Sequence, residues 1–388
     1  HVGYSGGQGA VGGGQGTLTM TRGATASSRT TYVGYNAGSA GSVSLSNSGT
    51  SLAIVGASAN SYTDLIVGHA GSGSLSITSG SLVRNQNGTL GSATGSTGYA
   101  EVKGVGSLWE NRNYLTVGNN GHGTLVVSGG GIVTAANTSV CANGLLSIEV
   151  GNGSQLDTRG SGTGLFANSG LVRLTAAWNA AAGTYTPIMA GTWQSNNGTI
   201  ETFGGTWDSS NHTFTIAAAQ VINSGGTVND NNGLQRVNVT DPSNLMTTAV
   251  TANFAVNGAP TSFQATQIAT GSNEYQNLQI LAGNSILSAW NFNASGGTYN
   301  GTNAVNLTFA VGSGFTTDQF RVWHFKNNQW EWITPDSINY DGTNVSFNVN
   351  GFSGYALSAV PEPSSLLLVS SVVAATLASR RWRREPKM

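Results

Sequence analysis

A five-residue pattern of glycine, any residue, aliphatic, any residue, aliphatic recurs along the first half of this 388-residue chain and limits what it can fold into more than any other feature. It stands at Gly16-Thr-Leu18-Thr-Met20, Gly41-Ser-Val43-Ser-Leu45, Gly73-Ser-Leu75-Ser-Ile77, Gly98-Tyr-Ala100-Glu-Val102 and Gly123-Thr-Leu125-Val-Val127. Looser copies follow at Gly144-Leu-Leu146-Ser-Ile148 and Gly170-Leu-Val172-Arg-Leu174, so that successive glycines lie 25, 32, 25, 25, 21 and 26 residues apart. Each copy alternates in the period-two manner of a strand with one buried face. A second element follows seven to nine residues later at Gly80-Ser-Leu82-Val83, Gly106-Ser-Leu108-Trp109, Gly130-Gly-Ile132-Val133 and Gly153-Ser-Gln-Leu156, and a third ends in Val-Gly at Val33-Gly34, Val67-Gly68 and Val117-Gly118.

Three short strands joined by glycine turns make one triangular coil. A single coil cannot bury its aliphatic face, whereas stacked coils can, with each strand pairing to its copies above and below at about 4.8 Å. The expectation is an all-β chain whose residues 1–183 form a right-handed parallel β-solenoid (β-helix) of roughly seven coils, a rod about 35 Å long. Leu18, Val43, Leu75, Ala100, Leu125, Leu146 and Val172 should stack on one internal face. Proline is absent before Pro187, as a ladder that needs every N–H requires.

Composition removes several function classes. Glycine accounts for 56 residues and charged side chains for only 8%, against a usual ~25%. Hydrophobic residues still make up 38% and recur at fixed intervals, which argues for packed β-structure rather than disorder. Five of the 15 basic residues (Arg380, Arg381, Arg383, Arg384 and Lys387) lie at the very end. Residues 1–360 therefore carry ten basic and fourteen acidic groups, a balance near −4 that gives no electrostatic footprint for nucleic acid. Cys141 is the only cysteine, so an intramolecular disulfide and a multi-thiolate metal site are both excluded. The sequence starts at His1, and the expectation is a truncated N-terminus with an export leader ahead of it.

Composition shifts near Thr184, where prolines appear and strands become longer and more aromatic. Alternation at Val305, Leu307, Phe309 and Val311, and again at Val345, Phe347 and Val349, together with hairpin signals at Asp341-Gly342 and Lys326-Asn-Asn328, predicts a β-sandwich-like domain over 230–360. A connecting β-region is expected over 184–229, and no helix between the sandwich strands. Beyond it, Pro361-Glu362-Pro363 precedes an uncharged run from Ser364 to Ser379 and then the arginine cluster. As a helix that run, 364–379 with Leu366, Leu367, Leu368, Val369, Val372, Val373 and Leu377 as its apolar body, is about 24 Å long. It would span a membrane only with the arginines snorkelling or the bilayer thinned, and Arg380, Arg381, Arg383 and Arg384 would stay cytoplasmic.

The run from Leu115 to Gly130, with Gly106-Ser-Leu-Trp-Glu-Asn111 ahead of it, resembles the repeat of autotransporter passengers and PEP-CTERM proteins. That resemblance, best over residues 30–140, implies an exported β-helix. The segments 322–332 and 349–356 resemble the sandwich that often precedes a PEP-CTERM tail. The tail's order over 361–388, Pro-Glu-Pro then apolar helix then arginines, resembles the PEP-CTERM sorting signal. It implies an inner-membrane anchor that exosortase, a membrane protease, recognises and cleaves, with Pro361, Glu362 and Pro363 read by that enzyme.

Catalytic chemistry finds little purchase. The histidines His1, His69, His122, His212 and His324 lack metal-ligand spacing. His69 and His122, after Gly68 and Gly121, read as solvated residues of equivalent turns. Gly7, Gly9 and Gly12 match G-x-G-x-x-G without the flanking strand and helix a dinucleotide site needs. The only acids in 1–183 are Asp64, Glu101, Glu110, Glu149 and Asp157. Of these, Glu101 and Glu149, about two coils and roughly 10 Å apart, are the least implausible carboxylate pair, though they read as surface acids. The segment Asn229–Gly233 reads as a polar turn rather than a calcium loop. Trp323, Trp330 and Trp332 suit either sandwich packing or a glycan-stacking platform.

The functional expectation is an exported, non-catalytic structural or adhesive surface or extracellular-matrix protein, with no cofactor, metal or catalytic residues. Its partners would be exosortase, membrane lipid through the tail, and exopolysaccharide. The alternatives are a carbohydrate-binding module on a solenoid stalk, or a polysaccharide hydrolase or lyase on a β-helix.

Overall fold

The computed structural model describes residues 1–3, 13–56, 61–160, 162–296, 305–335 and 338–360. Over the first half, three parallel sheets of eight, seven and seven strands wrap a common interior, giving a β-solenoid of about seven turns. The first face begins at Gln15–Met20 and ends at Thr199–Phe203. The second runs from Thr25–Ser28 to Ile188–Met189, and the third from Thr31–Val33 to Thr192–Ser195.

The repeat pattern sets the register. Gly16, Gly41, Gly73, Gly98, Gly123 and Gly144 form one column. Leu18, Val43, Leu75, Ala100, Leu125, Leu146 and Val172 form the next inward one. All of this second column is buried except Leu18, which packs half-buried against the core in the first coil.

The glycine column has a steric cause. A Cβ on Gly98 would lie 2.2 Å from the Val67 carbonyl oxygen and 2.3 Å from the Gly91 nitrogen, so no larger residue fits against the corner of the coil below. That corner is the Val-Gly or Leu-Gly element, whose Gly34, Gly68, Gly91 and Gly118 have φ between 67° and 74°, a conformation favoured by glycine. Inside the rod buried polar groups interrupt the aliphatic stack, among them one network around Trp109. Asn85 donates to Asn111 Oδ1 and accepts from the Trp109 indole N–H, both at 2.7 Å, and all three residues are buried.

The parallel stack continues beyond residue 183. Ile188–Met189, Thr192–Ser195 and Thr199–Phe203 extend the second, third and first faces in turn. The shift near Thr184 marks an excursion instead: Gly183–Tyr185 leaves the coil and pairs antiparallel with Thr213–Ile216, which also pairs with Gly205–Asp208. Phe214 and Ile216 of this small sheet are buried in the solenoid core, so the sheet caps the last coil. A capped end removes the exposed apolar cross-section that a solenoid otherwise presents.

The second domain is a sandwich of two six-stranded sheets, and its first strands are already Gln220–Ile222 and Thr227–Asn229. The alternating Val305, Leu307, Phe309 and Val345, Phe347, Val349 point inward into a shared aromatic core. Both hairpins are present, the tighter one with Asn327 and Asn328 at φ 51° and 64°, as its two-residue turn demands. Against expectation, the described residues include one α-helix, Asn273–Ala282, capped by Ser272 accepting from the Tyr275 N–H. Only Leu278 of it is buried, so its apolar periodicity is too thin to read from sequence. Among the described residues no helix is long and apolar enough to cross a membrane, and the expected span 364–379 lies outside them.

Rod and sandwich are fastened together. Phe203 bridges Ala255, and the Gly204 N–H donates to the Phe254 carbonyl. The buried Arg236 guanidinium of the sandwich donates to the carbonyls of Ala177, Trp178 and Ala180 at 2.6–2.8 Å.

Two substitutions test the stacking. Leu125→Asp should cost several kcal/mol by burying an unpaired charge. Gly98→Ala should cost about 1–3 kcal/mol or more through overpacking against backbone that cannot move aside. Chemical denaturation read by circular dichroism measures both, and wild-type stability in Gly98→Ala would refute the packing of the corners.

Candidate functional site

The sandwich lies over the outward side of the solenoid's first face, and the two enclose a cleft of about 570 Å³. The solenoid wall is made by residues that alternate with the buried aliphatics: Tyr99, Glu101, Thr124, Val126, Leu145, Ser147 and Glu149. The opposing wall is the outer side of one sandwich sheet, where Asn306, Thr308, Ser346 and Asn348 alternate with the core residues named above. Lys103 reaches across from the rod, its ammonium 5.3 Å from the Tyr340 ring.

The outward columns explain why the cleft sits here. In the early coils the column through Thr19, Ser44 and Ser76 is small and hydroxylic. From the next rung it reads Glu101, Val126, Ser147, Arg173 and Glu201. This change was visible in the sequence as larger residues at the polar positions of the repeat. What it could not reveal is that another domain covers them.

The cleft is poorly solvated. Desolvation is the leading cause that raises the Tyr99 hydroxyl and both carboxyls, Glu101 and Glu149, above their ordinary values, with Lys103 partly offsetting the effect at Glu101. Three buried polar atoms that line it have no hydrogen-bond partner: Ser128 Oγ, Asn339 Oδ1 and Asn348 Nδ2. Asn348 uses its oxygen to accept from Asn306 at 2.9 Å. Arg173 is bound to Glu201 at 3.0 Å.

The two carboxylates of the sequence-level pair do share this wall. They are separated by two rungs and also by two residues along the strands, so the backbone offset is about 12 Å from strand spacing. Glu149 accepts from the Gly129 N–H at 2.9 Å and from the Asn152 side chain, tying down the glycine turn of the preceding coil. The other solenoid acids are similarly engaged, Glu110 with Arg84 and Arg112, Asp157 with Arg159, and Asp64 with Asn87. Glu101 alone faces the cleft without such a bond among the described residues.

The three tryptophans separate in environment. Trp330 is buried beneath the helix and donates to the Glu274 carbonyl. Trp323 is half-buried and donates to Ser358. Trp332, on the edge strand opposite Trp323, is 61% exposed, with the Arg321 guanidinium 5.1 Å from its ring.

His69 stacks on Tyr35, whereas His122 opens a first-face strand in the column of Ser72 and Thr97, so the two turns are not equivalent. Asp230 caps its own turn through the Asn232 N–H. Among the described residues no three His, Cys, Asp or Glu side chains converge to hold a metal. Gly7, Gly9 and Gly12 lie outside the described residues, as do Pro361, Glu362, Pro363, the apolar run and the arginines.

The fold thus defines a capped solenoid docked to a β-sandwich. At the end of that sandwich residues 359–384 match the PEP-CTERM protein-sorting motif. A motif of this kind implies an exported protein, anchored at the membrane before processing and sorted by exosortase. No curated protein and no solved structure matches the chain.

The desolvated carboxyls predict a pH dependence. An acid whose folded pKa is raised binds its proton more tightly in the native state, so stability falls as pH rises from the ordinary carboxyl range through the raised value. The melting temperature should therefore climb as pH is lowered through the raised values toward the ordinary carboxyl range. It should fall again only in stronger acid, where Asp157, Asp208 and Asp241, whose pKa values are lowered by hydrogen bonds, become protonated. Glu101→Gln should flatten the first limb; an unchanged limb in that variant would refute the assignment.

Proposed function

We propose that this is an exported, non-catalytic structural or adhesive protein of the cell surface or extracellular matrix. The observation that carries the reading is where the sorting motif begins. It starts at Ala359, the last residue of Gly354–Ala359, a wholly buried strand held on one side by Ile286–Ser295 and on the other by Phe320–Lys326. Tension on the tail would act along two hydrogen-bonded ladders in the middle of a sheet. Such a junction suits a body that is tethered or attached through its C-terminal end, with the rod projecting a mostly uncharged surface.

The commitment of Glu110, Asp157, Asp64 and Glu149 to local partners supports a body without catalysis. Carbohydrate recognition on the sandwich is the second reading, favoured by the exposure of Trp332. A hydrolase or lyase would need Glu101 to act with a second group.

The tail is read as Leu366–Ala378 inserting in the inner membrane with Arg380, Arg381, Arg383 and Arg384 on the cytoplasmic side, where their charge fixes orientation. Proline at 361 and 363 would disfavour helix just before the span and so leave that junction extended for a protease cleft.

Mass spectrometry of the protein from a host that carries exosortase should find it shortened at the C-terminus, and Glu362→Ala should insert normally but remain unprocessed. Recovery of chains still ending at Met388 would make the tail a permanent anchor. Incubation of the purified body with acidic and neutral polysaccharides should release no fragments; release that Glu101→Gln abolishes would overturn the non-catalytic reading.

A further inference from the structure

We propose that the cleft between rod and sandwich is a binding site for a segment of neutral polysaccharide. The inference deepens the adhesive reading, on which it rests, by giving that function a site and a ligand class.

The volume, about 570 Å³, lies within the range of sites that hold a small ligand or a short piece of a longer one. Its walls combine two chemistries. One wall offers apolar contact from the Tyr99 ring, Val126 and Leu145; the other offers the amides of Asn339 and Asn348. A pyranose presents the same combination, with C–H groups on its ring faces and hydroxyls around its rim.

Polar groups in a desolvated site are costly when unpaired. Ser128 is 1% exposed, faces the cleft from an outward position of its strand, and its hydroxyl has no partner. The free Asn348 Nδ2 and Asn339 Oδ1 add a donor and an acceptor. Hydroxyl groups, which both donate and accept, can satisfy all three.

Charge selects the ligand class. The lining includes the acids Glu101, Glu149 and Asp318. The one cation in the lining, Arg173, is paired with Glu201, and Lys103, its ammonium 5.3 Å from the Tyr340 ring, does not line the cleft. Among the described residues the lining thus sets three acids against one cation that is already paired, so a uronic-acid chain would be repelled where a neutral one is not.

The site differs from the exposed Trp332, which does not line the cleft. That difference gives the test its control. The full chain in mild detergent is titrated calorimetrically with cello-, laminari-, manno- and xylo-hexaose and with hexagalacturonate. Binding of at least one neutral hexaose is expected, with hexagalacturonate at least tenfold weaker. Tyr99→Ala and Asn339→Ala should each weaken the neutral ligand tenfold or more without lowering the melting temperature, while Trp332→Ala should leave affinity unchanged.

Failure to bind any neutral hexaose, preference for hexagalacturonate, or loss with Trp332→Ala but not Tyr99→Ala would each overturn the proposal. Chromatography of the recovered sugar separates the two levels of inference. Intact hexaose keeps the non-catalytic reading, whereas shortened sugar with cleft-dependent binding would overturn that reading and leave the site standing.

Discussion

The spacing between rungs of a parallel ladder, about 4.8 Å, is the constraint on which the molecule rests. Successive coils can approach that closely only if the corner of one coil fits against the strand of the next. Here a corner glycine in left-handed conformation meets a strand glycine that has no room for a Cβ, as Gly91 does at Gly98. Once the corners seat, inward side chains at the same repeat position lie directly above one another. The interior is then a set of aliphatic columns, and size changes must be absorbed locally. Trp109 is accommodated in this way: its indole ring reaches over Gly88 and its N–H finds Asn85. The Asn85–Asn111 bond beside it gives that coil a polar contact that a slipped register would leave unpaired, at a cost of about 1–3 kcal/mol per group.

Stacking also creates the problem that the end of the rod has to solve. The last coil exposes an apolar cross-section, and the sheet built from Gly183–Tyr185, Gly205–Asp208 and Thr213–Ile216 covers it with Phe214 and Ile216. The sandwich is then held next to this cap by Arg236. Burial lowers the pKa of its guanidinium, yet three main-chain carbonyls accept from it. A buried cation satisfied by carbonyls is directional in a way that apolar contact is not. It holds the sandwich at the angle that lays its outer sheet along the first face, and the cleft, with its raised carboxyl pKa values and its unpaired polar atoms, is a consequence of that docking.

Several features were open to sequence reasoning because they depend on local periodicity. The inward residues of the rod, the sandwich core positions and both hairpins follow from alternation and turn chemistry, and the sorting motif follows from its order of proline, apolar run and arginine. The helix Asn273–Ala282 escaped because it buries one residue, and the end of the rod was misplaced because an excursion at Gly183–Tyr185 looks like a domain boundary in composition. The tryptophans show the same limit: Trp330 and Trp332 are two residues apart on one strand face, yet a helix covers the first and leaves the second in solvent.

The sequence by itself determined that this chain is a stacked β-structure followed by a sandwich and a sorting tail, because repeat spacing, alternation and charge order act over a few residues at a time. Only the tertiary structure decided what the outward residues face. Glu101, Tyr99, Ser128 and Asn348 occupy polar positions that read as solvent-exposed in any single strand. They become the walls of one cleft because residues far apart along the chain, Arg236 with Ala177 and Phe203 with Ala255, fix two domains against each other. No local pattern encodes that contact, since each side satisfies its own sheet equally well without it.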